Sequence, residues 1–320
     1  MFIVTGGAGF IGSNLVKGLN DRGSNDILVV DDLTDGRKFV NLVDCNFSDY
    51  LDHRDFRERL SAGEDFGKIT AVFHQGACAD TVEQNGRYML DTNYQTSKEL
   101  CLWCQKNGVP FVYASSAAVY GDTGDFREGG EGERPLNVYG WSKLLFDRWL
   151  RQRWGSVTAP VVGLRYFNVY GPREAHKGRM ASVVHHFSRQ VAETRTVRLF
   201  AGSHGYADGE HRRDFVFVDD VVAVNLWAAN SAAVPGIYNV GTGESSSFNE
   251  IANAVITWHD VGKIEYIPMP DDLKPAYQAF TEATLTNLRE AGYDGSFTPI
   301  EKGVRRTLDV LAQTGAPLQR

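Results

Sequence analysis

The chain has 320 residues, 42% apolar and 23% charged, with a formal net charge of −7. That is ordinary globular usage, long enough for one large or two medium domains. The absence of any basic block argues against nucleic acid as a partner, and the acidic balance argues against an anionic membrane surface.

Phe2-Ile3-Val4 is a short apolar run of buried-strand character, and glycines follow at 6, 7, 9 and 12. From Ser13 the pattern turns amphipathic, with Leu15, Val16 and Leu19 on one helical face. Strand, glycine turn and helix in this order suit a dinucleotide. Glycine supplies positive φ, bare backbone for a pyrophosphate and close helix–strand packing, and the helix N terminus supplies free N–H groups. A second apolar run, Ile27 to Val30, ends in Asp31-Asp32, about 20 residues past the last glycine, where the dinucleotide fingerprint places its ribose contact. The bland alternative is an ordinary strand–helix turn.

A charged loop with Arg37 and Lys38 comes next. Asn41 to Asn46 is expected to form a third strand, followed by His53 and Arg54. Ala71 to His74 reads as the fourth strand, with Gln75-Gly76-Ala77-Cys78-Ala79 as its loop, and a helix is expected from about Met89 to Lys106. Cys101 and Cys104 have metal or redox spacing, but they lie in that helix with no second Cys or His pair. A buried helix face is expected there, and no metal site. Phe111 to Ser116 is a fifth strand ending in hydroxyls. A Gly- and Glu-rich loop covers Gly121 to Glu133, a long helix starts near Val138, and Val161 to Tyr166 is a sixth strand. This alternation predicts an α/β fold with a Rossmann-like, doubly wound, mostly parallel sheet.

The second half is less regular: a charged loop from Gly171 to Arg179, a helix from about Met180 and an exposed turn from His204 to His211. Asp214 to Asn230 reads as a strand and helix returning to the main sheet, and prolines at 268, 270 and 275 suggest a smaller capping unit. The expected division is a dinucleotide-binding domain over 1–167, with about 214–231 and 277–290 returning to it. A smaller α/β substrate-binding domain is expected over about 168–213, 232–276 and 291–320. A first strand at Met1, no run of transmembrane length and no cysteine framework together suggest a cytoplasmic location.

Tyr139-Gly140-Trp141-Ser142-Lys143 carries the chemistry. Tyrosine and lysine at i and i+4 share a helix face, and a nearby ammonium favours the phenolate, lowering its pKa. A tyrosine so tuned can take a proton from an alcohol while the carbon gives up hydride. Lys143 also suits nicotinamide ribose hydroxyls, and Ser115-Ser116, just over 20 residues earlier, can hold a substrate oxygen. Alone, this tyrosine–lysine pair would be an unremarkable surface feature.

With Gly6, Gly9 and Gly12, the Ser116 strand end and Arg213-Asp214-Phe215-Val216, the chain resembles the extended short-chain dehydrogenase/reductases. More closely it is similar to the ADP-L-glycero-D-manno-heptose 6-epimerases, through Phe167 to Glu174, His176-Lys177-Gly178, Met180 to Val183, Leu199-Phe200, Gly202-Ser203 and Tyr277 to Thr281. The resemblance implies inversion at C6'' of ADP-heptose by transient oxidation to a 6''-ketone with bound NADP, and return of hydride to the other face. Tyr139 and Lys177 would be the two proton-handling groups. By itself Lys177 reads as a surface or phosphate-binding lysine. The resemblance also implies lipopolysaccharide core synthesis and a homo-oligomer, specifically a homopentamer.

Cofactor contacts carry over to Phe10, Ile11, Asp31, Asp32, Lys38, His53 or Arg54, Gln75 to Ala79, Thr92, Lys143, Val169 and Lys177. Substrate contacts carry over to Ser116, Asn168, Arg179, His186, Phe200, Ala201, Gly202, Ser203, Arg213 and Tyr277. Arg213 has an alternative as an ion-pair partner of Asp214 or Asp219, and only one of His185 and His186 can share the face of Ser182 and Arg189. There are departures. Asp31-Asp32 would ordinarily select NAD, which Lys38 with Arg37 or Arg54 can offset. The resembled enzymes often carry serine at Arg179, lysine near His53 and asparagine at Thr92, and the 204–211 turn is longer here. A 4,6-dehydratase would need an acid after Ser116, where Ala117-Ala118 stand. A UDP-hexose 4-epimerase or a non-catalytic dinucleotide sensor are the remaining alternatives.

Overall fold

The structure is a computed structural model. It describes residues 1–230, 234–271, 274 and 277–313. Pro275 and the expected domain segments at 231–233 and 314–320 lie outside the described residues.

The first half runs β1 (Phe2–Thr5), α1 (Phe10–Asn20), β2 (Ile27–Asp31), β3 (Asp49–Asp52), α2 (His53–Ser61), β4 (Ala71–His74), α3 (Gly86–Met89), α4 (Thr96–Asn107), β5 (Phe111–Ser116), α5 (Val138–Arg151) and β6 (Val161–Tyr166). The second half runs β7 (Asn168–Tyr170), α6 (Val183–Thr194), β8 (Thr196–Phe200), β9 (Arg212–Arg213), β10 (Phe215–Phe217) and α7 (Val218–Ala228). It continues with β11 (Gly236–Val240), β12 (Ser246–Ser247), α8 (Phe248–His259), β13 (Lys263–Ile267), α9 (Thr286–Glu290) and α10 (Ile300–Gln313).

Seven strands form one parallel sheet in the order β11-β6-β5-β4-β1-β2-β3. Its central strands are apolar on both faces because helices cover both faces, as a parallel sheet requires. Leu15, Val16 and Leu19 of α1 meet Val221, Val222 and Val224 of α7 on one face, while Leu100, Cys101 and Cys104 of α4 and Phe146 and Leu150 of α5 fill the other. Chain order reverses at β1, which pairs with β2 on one side and β4 on the other. In such sheets ligands bind beyond the strand ends at this reversal. A second core lies among α6, α8, α10, β8 and β10.

Two sequence expectations are corrected. Residues 41–46 are not a strand: Gly36–Leu42 is a 3₁₀ turn, and the third strand is Asp49–Asp52. Asp35 caps the turn by accepting from Arg37 N–H, and Leu42 and Cys45 pack inward while Val43 is 72% exposed. That spacing is helical, not alternating. Secondly, the 232–276 segment is not wholly apart from the main sheet. Gly236–Val240 pairs in parallel with β6 and forms its edge. The helix expected from Met89 begins at Gly86 and contains a π segment, Leu90–Gln95, before α4.

Candidate active site

The turn between β1 and α1 is built around absent side chains. Gly6 has φ 67°, and a Cβ there would lie 2.6 Å from Gly76 N; a Cβ on Gly12 would lie 2.0 Å from Gly6 O. The 6–12 turn and the 75–79 loop therefore meet backbone to backbone. Helix α1 starts at Gly9 without a side-chain cap and with no acid in its first turn. A bare backbone cradle at an uncapped helix N terminus fits a dinucleotide pyrophosphate.

At the end of β2, Asp31 is turned inward. Its carboxylate accepts from Ala8 N–H at 2.7 Å and Asp32 N–H at 2.7 Å, and pairs with the Lys38 ammonium at 2.5 Å. Asp32 accepts from Thr34 N–H, Arg37 pairs with Asp35, His53 lies 3.7 Å from the Asp52 carboxylate, and Arg54 is exposed.

A cavity of about 430 Å³ opens beside this turn. From the sequence-predicted set it brings together Phe10, Ile11, Gln75, Ala77, Ala79, Ser116, Tyr139, Lys143, Asn168, Val169, Lys177 and Arg213. Asn137 caps α5 by accepting from Gly140 N–H at 2.8 Å, which aims the first turn, with Tyr139, at the cavity. Ser116, at the end of β5, accepts from Ala118 N–H at 3.1 Å. The Lys143 ammonium donates to Ala114 O at 2.8 Å, and burial pulls its pKa down to about 8. The expectation of a lowered Tyr139 pKa is corrected. Burial of the phenol pushes it up, and the Ser116 hydroxyl beside it only partly offsets this.

Lys177 sits on a 3₁₀ turn, Ala175–Met180, with its ammonium 5.1 Å from the Phe10 ring centroid. Burial pulls its pKa down, against the attraction of Glu174. The Glu174 carboxylate is itself buried and anchors the start of α6, accepting from Ser182 N–H at 2.5 Å and Ser182 Oγ at 2.6 Å.

Arg213 is buried, with its guanidinium 5.1 Å from the Tyr277 ring and 5.9 Å from Phe248. Among the described residues no carboxylate pairs with it. Asp214 is occupied by Thr242, Gly243 and Ala283 N–H groups, and Asp219 by Arg306. The ion-pair alternative is thus overturned. Phe200, His204 and His211 pack around Tyr277, and Ser203 Oγ lies 2.8 Å from His211 Nε2. This cluster, which takes in Phe200 and Ser203 of the expected 200–203 contacts, adjoins the cavity through Arg213, while Ala201 N–H is bonded to Ile267 O and Gly202 N–H to Asp208. The 204–211 turn ends in a buried residue, since His211 is only 1% exposed.

Other expected residues stand apart from the cavity lining. Arg179 points to solvent and pairs with Asp80 at 2.7 Å, because Gly178 breaks the turn between it and Lys177. His186 is half-buried, near Arg179 O, while His185 is the buried member of the pair. Thr92 lies beside the Tyr88 hydroxyl. The asparagine that matters is its neighbour. Asn93, 1% exposed, accepts from Cys78 N–H and donates to Cys78 O and Ser142 Oγ, tying the 75–79 loop to α5. Sequence reasoning missed it because the π segment rotates it out of ordinary α-helical register. Gln278 and Thr281, which also line the cavity, lie in the 277–281 segment that carried the resemblance but were not singled out as contacts.

Glycine cradle, strand-end serine, tyrosine and lysine in one cavity define a nicotinamide-dependent sugar-modifying scaffold. In agreement, residues 2–241 match the model of the NAD dependent epimerase/dehydratase family, and the chain belongs to that family. It is 58% identical over 316 residues to the ADP-L-glycero-D-manno-heptose-6-epimerase of Alkalilimnicola ehrlichii, covering 99% of each chain. The crystal structure of the Helicobacter pylori ADP-L-glycero-D-manno-heptose-6-epimerase superposes with a TM-score of 0.85 at 31% identity, covering 97% of this chain and 96% of that one. A Thermus thermophilus UDP-glucose 4-epimerase in complex with NAD has a TM-score of 0.78 at 31% identity, covering 96% and 97%. No helix among the described residues is long and apolar enough to cross a membrane.

Proposed function

We propose that this chain converts ADP-D-glycero-β-D-manno-heptose to its L-glycero epimer by inversion at C6'', supplying a precursor of the lipopolysaccharide core. One observation carries the reading. Two proton-handling side chains from separate elements, Tyr139 of α5 and Lys177 of the 175–180 turn, line the same cavity. Inversion through a ketone takes hydride from one face of C6'' and returns it to the other while the oxygen gives up and regains a proton, and a second proton-handling group across the cavity can serve that oxygen after the ketone has turned. The high identity to a heptose epimerase supports the same substrate.

When bound, NADP supplies the hydride acceptor and donor for the transient oxidation of C6'', so no cofactor is consumed. Gly6, Gly9 and Gly12 with Phe10, Ile11 and the 75–79 loop would hold its pyrophosphate and nicotinamide halves. Lys143 and Val169 would sit at the nicotinamide, and Asp32, Lys38, His53 and Arg54 at the adenosine ribose. The Lys38 ammonium beside Asp31 supports NADP over NAD, because it offsets the repulsion that the Asp31-Asp32 acids would exert on a 2'-phosphate. Ser116 holds the reacting oxygen, and Tyr139 takes its proton. Lys177, with its proton affinity reduced by burial, serves the other face. Arg213 binds the diphosphate as a buried guanidinium fork without a competing carboxylate. A cytoplasmic homo-oligomer, a pentamer by resemblance, completes the reading.

The test is proton NMR of ADP-D-glycero-β-D-manno-heptose incubated with purified protein and no added cofactor. Signals of the L-glycero epimer are expected, and Tyr139→Phe should abolish them while retaining bound dinucleotide. No epimer, even after adding NADP and then NAD, rules out the heptose substrate. Turnover of a UDP-hexose in its place would favour the 4-epimerase alternative.

A further inference from the structure

Behind the cavity lies a buried ion network with no part in the reaction as described. Tyr139, Lys143 and Asp147 occupy i, i+4 and i+8 of α5, so they share one helical face. Asp147 is fully buried, as is Arg165 of β6. The Asp147 carboxylate accepts from Tyr113 OH at 2.8 Å and Ser115 Oγ at 2.9 Å on β5. From Arg165 it accepts Nε at 3.0 Å and Nη2 at 2.8 Å. Arg165 is shared with Glu133 at 2.7 Å and with Tyr120 OH at 2.9 Å. Gly163 of β6 leaves room for this: a Cβ there would lie 2.4 Å from the Tyr113 hydroxyl.

An ion pair sealed from water is a poor stabiliser, because desolvation offsets its attraction and an apolar replacement often does as well. What such a pair does well is to admit only one arrangement of its partners. Here the partners are the residue next to Ser116 on β5 and the helix that carries Tyr139 and Lys143. We propose that Asp147 is a positioning residue of this site, which locks the Ser116 strand end against α5 and places a fixed negative charge one turn behind the Lys143 ammonium. This inference rests on the reading above for its catalytic consequence, but not for its geometry.

The other groups around Lys143 are His74 of β4, held neutral by burial to about 3, Cys78 of the 75–79 loop and the Tyr139 phenol. Asp147 is therefore the carboxylate among the groups acting on Lys143, and it opposes the loss of the Lys143 proton that burial favours.

The experiment compares wild type, Asp147→Asn, Tyr113→Phe and Ser115→Ala. Lys143 is followed by the ¹³Cε shift of labelled lysine, assigned with Lys143→Arg, and epimerisation is followed against pH. In Asp147→Asn the Lys143 midpoint should fall by about one pH unit, a tenfold loss of proton affinity. Tyr113→Phe should lower thermal stability but leave the midpoint in place. Ser115→Ala should lower kcat several-fold with KM unchanged. An unmoved midpoint in Asp147→Asn overturns the proposal. If that variant does not fold, an unchanged kcat in Ser115→Ala overturns it. The titration needs no substrate, so a wild type inactive on ADP-heptose would reject the substrate assignment without touching this result.

Discussion

Gly12→Ala tests the cradle on which the cofactor assignment depends. The new Cβ would lie 2.0 Å from Gly6 O, 2.7 Å from Gly6 C and 2.9 Å from Gly7 Cα. All three are backbone atoms, so no side chain can swing aside. A carbon needs about 3.3 Å from a carbonyl oxygen, so the turn must open by roughly 1.3 Å. Forced expansion of this kind costs about 1–3 kcal/mol, which at about 2 cal/mol/K of unfolding entropy per residue lowers Tm by roughly 1.5–4.5 °C for a chain of this length. The same opening separates the 6–12 turn from its pyrophosphate, so retained dinucleotide should fall about tenfold or more. The assay is a thermal melt together with quantitation of dinucleotide released from purified protein by acid. Gly155→Ala is the control: nothing lies within 4 Å of its Cβ position, so it should be neutral or stabilising by about 0.4–1 kcal/mol. Wild-type Tm and wild-type dinucleotide content in Gly12→Ala would refute the argument.

Arg213→Met removes a buried cation that has no carboxylate partner among the described residues, so Tm should hold or rise, while KM for the nucleotide sugar should increase about 10- to 150-fold from the loss of charged hydrogen bonds. A lower Tm with unchanged KM would make Arg213 structural. Burial holds His74 neutral to about 3, between Thr5 Oγ1 at 2.7 Å and Ser97 Oγ at 3.0 Å. The unfolded chain takes up that proton near pH 6.5, so stability present above pH 6.5 is lost as pH falls, by about 2 kcal/mol at pH 5. His74→Gln should remove that part of the loss, read from urea midpoints at pH 7 and 5; equal losses in both proteins would place the proton uptake elsewhere.

The main sheet was legible because parallel strands buried on both faces are mostly apolar runs, and Ile27 to Val30, Ala71 to His74 and Val161 to Tyr166 are such runs apart from His74 and Arg165. The third strand failed the same test. Asp49–Asp52 lies at the sheet edge with acids at both ends, while Asn41 to Asn46 has the apolar residues but spends them at helical spacing. Gly236–Val240 was passed over as an element of the main sheet for a topological reason. It pairs with β6, a strand remote from it in sequence, and nothing local records which sheet a strand enters. Asn93 was hidden by a change of helical pitch. Asp147 was in plain view four residues past Lys143, but a lone acid on a helix reads as a solvated surface group until its partner on another strand is known.

Charge compensation is where local reading failed most consistently, and the failures share a cause. Asp31 was expected at a ribose, and sequence spacing did not show that Ala8 N–H and Lys38 also hold its carboxylate. Arg213 was given Asp214 as a possible partner because they are adjacent, yet Asp214, in the link between β9 and β10, serves three backbone N–H groups instead. Lys143 was expected to tune Tyr139 because they share a helix face, yet its ammonium donates to the Ala114 carbonyl and burial pushes the phenol up. Sequence spacing says which groups can meet within one element. The charge state of a buried site depends on partners from other elements and on how much water they exclude. The reactive groups of this cavity could therefore be named from their order in the chain. Their protonation could be argued only once β5, β6 and the 175–180 turn had been brought against α5 and α1.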